Sequence, residues 1–288
     1  MRGGAIRRYV GLGAVLVLVS ISISACGGGS PAARSTTTTM PATSTTTPGE
    51  MTISVYWLRG DKLGVSHRQI PATPAVGTAA LHALLAGPNV TEKAANLHTD
   101  IPARTRFLGL SIVGGVATVD LDSTYASGGG SLSMTARLAQ VVYTLTQFPT
   151  VLTVRFEMDG QIVTVFGGEG ILINHPMNRV DPTIVGVVPY ILVESPAVGD
   201  SVHSPLHVTG MSNTYEASYS VELVDATGAV VVDSFGTATA GSGTWGTFDA
   251  SFPYVTSASG TGTLRVFSVS PKDGSHVNEV DLQLPVGP

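Results

Sequence analysis

Hydrophobic periodicity changes once along this chain, at Pro189, and that change limits the folds open to it. Upstream, two segments repeat apolar residues at helical spacing: Val76, Ala80, Leu81, Leu84 and Leu85, then Met134, Leu138, Val141, Val142 and Leu145. Downstream no helical stripe remains. Short alternating runs take over at 190–194, 206–210, 218–224, 230–235, 247–252, 263–269 and 277–284, separated by Gly, Pro, Asp and Ser turns. The pattern predicts an α+β unit over 51–183 followed by an all-β unit over 189–286, with a junction near 182–189. The apolar stretch Ile184–Val188 at that junction reads either as linker or as interface.

In the first unit, Thr52–Leu58 reads as a strand, and Thr73-Pro74 as the opening of the first helix, which Gly87-Pro88 ends. Two-residue turns at Gly114-Gly115 and Asp159-Gly160 predict hairpins joining 107–113 to 116–121 and 151–158 to 161–166. Leu108, Leu110 and Ile112 are expected on one strand face. Ser131 or Ser133 is expected to cap the second helix, which runs to Gln147. The predicted order is β-α-β-β-α-β-β, with both helices on one face of a small mixed sheet. The second unit reads as an immunoglobulin-like β-sandwich of about seven strands, its core including Tyr219, Trp245, Phe248, Phe252 and Phe267.

The first 50 residues carry no such pattern. Arg2, Arg7 and Arg8 precede the apolar run Val10–Ile23, which is short for a bilayer span and suits a signal peptide over 1–25. The run ends in Ile23-Ser24-Ala25-Cys26-Gly27, which resembles a bacterial lipobox. Cys26 is the only cysteine of the chain. It can form no internal disulfide and no multi-thiolate metal site, and its position makes it the expected lipid attachment point. Residues 26–50 are rich in Thr, Ser, Pro and Gly and cannot bury enough surface to offset their ordering entropy. They read as a tether of about 25 Å rms reach. The expected location is the extracytoplasmic face of the cell membrane.

Charge excludes one class of partner. Residues 51–185 hold 9 basic and 9 acidic side chains, whereas 186–288 hold 2 and 10. No basic stripe is available to neutralise phosphates, so nucleic acid is not an expected partner.

Ordered segments of the first unit, LLAGP (84–88), IPARTRFLGLSIVGGVATVDL (101–121) and VVYTLTQFPTVLTVRFEMDG (141–160), with a closing Arg179-Val-Asp181, resemble the GerMN (sporulation and spore germination) domain. The resemblance implies an extracytoplasmic α+β module without known catalysis, often found on lipoproteins. Relatives occur outside spore formers, so it does not imply sporulation. SPAVGDSVHSPLHVTG (195–210), NTYEASYSVELVDATG (213–228), WGTFDASFPY (245–254) and SPKDGSHVNEVDLQLPV (270–286) resemble the immunoglobulin-like domain of bacterial spore germination. Tyr215-Glu216 stands where Phe-Glu is usual. Tyr215, Glu216 and Glu194 match recurrent positions of that family and are candidates for touching a partner; strand-end and turn chemistry is the plainer account of them.

Motifs for catalysis are missing: there is no HExxH, no GxxxxGK[ST] and no GxSxG. Gly128–Gly130 and Gly167–Gly170 read as loops. Asp120 and Asp122 are the best carboxylate pair, expected side by side on one strand face, where two acids bind a cation, exchange protons or simply face solvent. His203 and His207 are kept from helical geometry by Pro205, and no metal or cofactor site is expected. The leading expectation is a non-enzymatic, lipid-anchored binding module whose partner is another envelope protein, such as a sensor's extracytoplasmic part, or a cell-wall component. The alternative is a peptidoglycan- or carbohydrate-directed binding protein or hydrolase, which a groove holding Asp120, Asp122 and an exposed Trp57 would favour.

Overall fold

A computed structural model describes residues 49–288; the leader, Cys26 and the expected tether up to residue 48 lie outside the described residues, and Glu50, expected to end the tether, already belongs to a strand. The first unit opens with a hairpin rather than a single strand, β1 (Glu50–Arg59) pairing antiparallel with β2 (Lys62–Pro71) around Gly60-Asp61. Gly60 sits at φ +57°, the left-handed region that a two-residue turn requires. Two helices follow, α1 (Val76–Leu85) and the short α2 (Val90–Ala94). The α1 stripe is as expected, but Thr73 does not cap it. The helix starts at Val76 without a side-chain cap, and the Thr73 hydroxyl accepts from Ala75 N instead. An unexpected capping box starts α2: Asn89 Oδ1 accepts from Glu92 N at 2.9 Å, and Glu92 Oε2 accepts from Asn89 N at 2.6 Å.

Strands β3 (Phe107–Val113) and β4 (Val116–Leu121) form the expected hairpin around Gly114-Gly115. A bulge lies between Phe107 and Gly109. It places Phe107, Leu110 and Ile112 opposite the buried Leu121, Val119 and Ala117, and leaves Leu108 exposed, so the expected Leu108–Leu110–Ile112 face is not formed. Helix α3 (Ser131–Leu145) has Gly130 as N-cap and no side-chain cap; the Ser131 hydroxyl donates to Glu169. Strand β5 (Thr153–Met158) lies parallel to β4, and the short β6 (Gln161–Ile162) completes a mixed sheet ordered β3-β4-β5-β6. Two more short strands, β7 (Val165–Phe166) and β8 (Ile171–Leu172), pair with each other.

Seven strands follow: β9 (Ile191–Ser195), β10 (Leu206–Ser212), β11 (Ser218–Val224), β12 (Val230–Thr237), β13 (Gly246–Phe252), β14 (Gly260–Val269) and β15 (His276–Val286). They form a three-stranded sheet, β13-β10-β9, and a four-stranded sheet, β12-β11-β14-β15. Both sheets contribute to one apolar cluster, with Ile191, Val193, Val208 and Phe248 from the first and Tyr219, Val221, Leu264 and Leu284 from the second. Trp245 was expected in this core. It packs instead against the larger cluster of the first unit.

That larger cluster crosses the sequence junction. Ile184, Val187, Val188, Leu192 and Met211 are buried in it together with α1, α3 and the β1–β2 hairpin. Strand β9 serves both clusters through its alternation: Leu192 points to the first, Ile191 and Val193 to the second. The described residues thus form one compact unit.

The hairpin is buried on both faces at its centre, and only one edge of β1 is paired with a strand. Side chains on and just beyond α3 satisfy the other edge. Gln147 accepts from Ser54 N at 2.8 Å and donates to Ser54 O at 2.7 Å. Thr144 accepts from Tyr56 N, and Gln140 donates to Tyr56 O at 3.1 Å. Leu58 exchanges two backbone bonds with His98. A Gln147→Leu change removes both bonds to Ser54 and is expected to cost about 0.5–1.5 kcal/mol, because partly buried backbone groups lose their partners. Chemical denaturation at unchanged m-value checks it.

Candidate functional site

The densest polar cluster of the junction is built on β1, α3, β9 and the segment after β8. Tyr56 and Glu194 face each other because each sits on the strand face turned toward the other unit. Arg179 lies between them. Its Nη1 donates to Glu194 Oε1 at 2.5 Å and its Nη2 to the Tyr56 hydroxyl at 2.9 Å, and the Tyr56 hydroxyl itself donates to Glu194. Arg179 Nε donates to the Thr146 hydroxyl at 3.0 Å. The guanidinium stacks over two rings, 5.3 Å from the Tyr56 centroid and 4.9 Å from that of Tyr143. The Tyr143 hydroxyl donates back to Arg179 O at 2.7 Å.

Burial pushes the Tyr56 and Tyr143 hydroxyls well above the ordinary phenol range, and for Tyr56 the nearby Glu194 carboxylate adds to this. Arg179 is held charged: burial works against the charge, but Tyr56 and Glu194 outweigh it. At neutral pH Arg179 is therefore a fixed cation held between two protonated phenols. The cluster floors an open cleft of about 460 Å³ lined also by Ser54, Gln147 and Thr209.

Two further polar groups surround the hairpin. On the face opposite Tyr56, Trp57 Nε1 donates to Ser66 Oγ at 2.7 Å and Ser66 donates to Glu92 Oε1 at 2.6 Å. Arg68 pairs with both oxygens of Glu92. Burial raises the Glu92 carboxyl, but these bonds and the one from Asn89 N outweigh it and hold it below the usual range. At the junction, His67 Nδ1 lies 2.7 Å from Asp200 Oδ2.

The structure separates the residues singled out from sequence. Glu194 is an internal partner of Arg179 and Tyr56, not a free contact. Tyr215 and Glu216 are exposed on the β10–β11 connection, where Glu216 adopts φ +52° and its N–H donates to Ser242 Oγ. Asp120 and Asp122 do not share an open face. Strand β4 ends at Leu121, and Asp122 is buried. Asp122 accepts from Arg106 N at 2.9 Å, Arg106 Nε at 3.0 Å and Thr124 Oγ1 at 3.0 Å. Asp120 accepts from Gly160 N at the neighbouring hairpin. Trp57 is fully buried. His203 and His207 go separate ways, to Pro288 O and to Asp249. Arg179 and Asp181 appeared in sequence only as the closing motif; Asp181 accepts from Thr183 N at 2.9 Å and lies 2.6 Å from His175. The parts of Tyr56, Tyr143, Arg68 and Glu92 carried no motif. Only Asn89-x-x-Glu92, a capping-box spacing, could have pointed to one of them.

Asp122→Asn is expected to destabilise the fold by about 1–3 kcal/mol, whereas Asp120→Asn stays within about 0.5 kcal/mol. Burial raises the Asp122 carboxyl, and the bonds from Arg106 and Thr124 outweigh it and depress it. Its stabilisation is therefore complete above the unfolded carboxyl value of about 4 and is lost as pH falls through the lower folded value. Urea denaturation at pH 7 and below pH 4 checks both: the gap between wild type and Asp122→Asn should shrink in acid.

Comparison with known proteins follows the same division of the chain. A family model described as Germane, sporulation and spore germination, matches residues 54–164. A second, Gmad2, the immunoglobulin-like domain of bacterial spore germination, matches residues 190–275. No match was found among curated proteins. Among solved structures, the tandem GerMN domains of the sporulation protein GerM from Bacillus subtilis align at 14% identity and a TM-score of 0.42, over 71% of this chain and 62% of that one. This chain thus spans less than two thirds of that structure. A crystal structure of a lipoprotein candidate from Clostridium perfringens aligns at 22% identity and a TM-score of 0.34, over 46% and 90%. The first GerMN domain of the same GerM protein aligns at 18% identity and a TM-score of 0.37, over 46% and 99%.

Proposed function

We propose that this chain, a Germane domain followed by a Gmad2 domain, is a non-enzymatic binding and scaffolding module of the cell envelope, lipid-anchored through Cys26. In this reading the second domain is an immunoglobulin-like sandwich fixed to the first. The observation that carries the proposal is the Arg179–Glu194–Tyr56 cluster, which ties β9 to β1 across the junction. A body fixed in this way offers surfaces of both domains to a partner in constant relation, which reduces the ordering cost of binding. Residues 26–50 would carry that body just outside the membrane.

The internal use of the acidic groups supports a non-catalytic role. Glu194, Asp120 and Asp122 are each engaged by the protein's own donors. A carbohydrate-directed role loses its main support with the burial of Trp57.

Cys26→Ala is expected to shift the protein from the membrane fraction to the soluble fraction, since the lipid supplies nearly all of the membrane affinity. Retention of the variant in membranes after a high-salt wash overturns the anchor. Purified protein is expected to show no turnover on peptidoglycan, peptide or ester substrates, with or without divalent cations. A rate abolished by Asp120→Asn with Asp122→Asn, in protein that remains folded, makes this an enzyme. Crosslinking in native membranes is expected to capture an envelope component in a Cys26-dependent manner.

A further inference from the structure

Between the β1–β2 hairpin and α2 on one side and the edge strand β15 on the other runs a groove. Its deeper part is a cavity of about 320 Å³, floored by Leu63, Val65, Ile191, Leu192 and Leu282. A second cavity of about 500 Å³ adjoins it and shares Arg59 and Asp281. Together they follow β15 from Glu279 to Pro285, roughly 20 Å at about 3.3 Å per residue. The two cavities follow one another along a single strand, an arrangement suited to an extended chain rather than a compact molecule. Its volume and its place between domains are those of ligand sites.

The charges along the groove are unevenly matched. Glu279 and Asp281 both lie within 3.3 Å of Arg265, which also pairs with Glu222. The two cations on the opposite rim, Arg59 and Lys62, are register partners beside the β1–β2 turn. Arg59 Nη1 donates to Asp281 O at 3.1 Å and Lys62 Nζ to Gly186 O at 2.6 Å, both backbone carbonyls. Among the described residues, neither forms an ion pair with a carboxylate within 4.0 Å. Arg59 Nε is buried and has no acceptor. A buried guanidinium N–H without an acceptor, beside a second cation whose hydrogen bond goes to a backbone carbonyl, is what a carboxylate would complete. Burial also pulls the Arg59 guanidinium down from its ordinary value, and the nearby Asp281 offsets this only in part.

We propose that this groove binds an extended peptide segment of a partner protein, with an Asp or Glu side chain at Arg59 and Lys62 and a neighbouring Leu, Ile or Val side chain in the apolar slot. The inference rests on the reading of the chain as a binding module and names the chemistry of its partner. Arg59 lies across the groove and would exchange its bond to Asp281 O for the peptide carboxylate.

The test is selection of a phage-displayed random 12-residue peptide library on the full-length chain in detergent, with detergent alone as counter-selection. Enriched peptides are expected to place Asp or Glu beside Leu, Ile or Val. A synthetic peptide from that set should bind at least about tenfold more weakly to Arg59→Gln with Lys62→Gln. Arg59→Glu with Lys62→Glu should redirect the selection toward Lys- and Arg-bearing peptides, a gain that an unfolded variant cannot show. No enrichment over the control, enrichment without acidic residues, or acidic peptides that bind the Gln variant undiminished would each overturn the proposal. Such a failure leaves the binding-module reading intact if membrane crosslinking still captures an envelope component.

Discussion

The hairpin of β1 and β2 is the layer on which the rest of the molecule is assembled. A two-stranded hairpin alone is marginal in water. Here Trp57, Ser66 and Arg68 lie on one face, toward α1 and α2, while Tyr56, Val65 and His67 lie on the other, toward β9. The first face meets its own domain, whereas the second meets Glu194 and Asp200 of the following domain together with Tyr143 and Arg179 of its own. Such a layer leaves its unpaired edge buried too, where orphaned N–H and C=O groups are costly. Gln140, Thr144 and Gln147 cap that edge in place of a third strand. This explains why α3 buries polar residues along with its apolar stripe: Gln140 and Thr144 are inaccessible because they replace strand hydrogen bonds.

The position of the hairpin also accounts for its charged core groups. Glu92 is nearly inaccessible, yet it receives bonds from Arg68, Ser66 and Asn89. Such pairs do little for net stability compared with apolar packing, but a wrong arrangement strands a charge. The network therefore fixes how α2 docks on the hairpin. Arg179 does the same between domains, with two aromatic faces and two oxygen acceptors around one guanidinium. That planar, many-sided contact is one that a lysine could not reproduce.

Much of this architecture was legible in the sequence where pattern is local. The helical stripes, the Gly114-Gly115 and Asp159-Gly160 turns, and the seven alternating runs after Pro189 all correspond to elements of the structure. Strand β2 was not legible, because KLGVSHRQIP places a Gly, a Ser and an Arg on the face that meets the helices and carries no clear alternation. The Gly60-Asp61 turn was its only local sign. The capping errors at Thr73 and Ser131 show local chemistry giving way to packing and to Glu169. The site was less legible still. Arg179 and Glu194 lie 123 and 138 residues from Tyr56 along the chain, and no spacing rule joins them to it. Asp120 and Asp122 were legible as a pair but not as two separate loop anchors, since that depends on where β4 ends.

The charge asymmetry between the two halves takes on a structural meaning at the junction. The neutral half supplies the donors and the acidic half the acceptors: Arg179 and Tyr56 reach Glu194, His67 meets Asp200, and Arg59 reaches Asp281 O. Complementarity of this kind contributes more to register and choice of partner than to raw affinity. The apolar residues around Leu192 and Met211 can tolerate a small slide of one domain on the other, because dispersion and hydrophobic burial are not directional. The directional bonds cannot. The junction thus divides its tasks, with apolar contact holding the domains together and donor–acceptor matching setting their angle. Any surface that draws on both domains, the β15 groove included, inherits its shape from that angle.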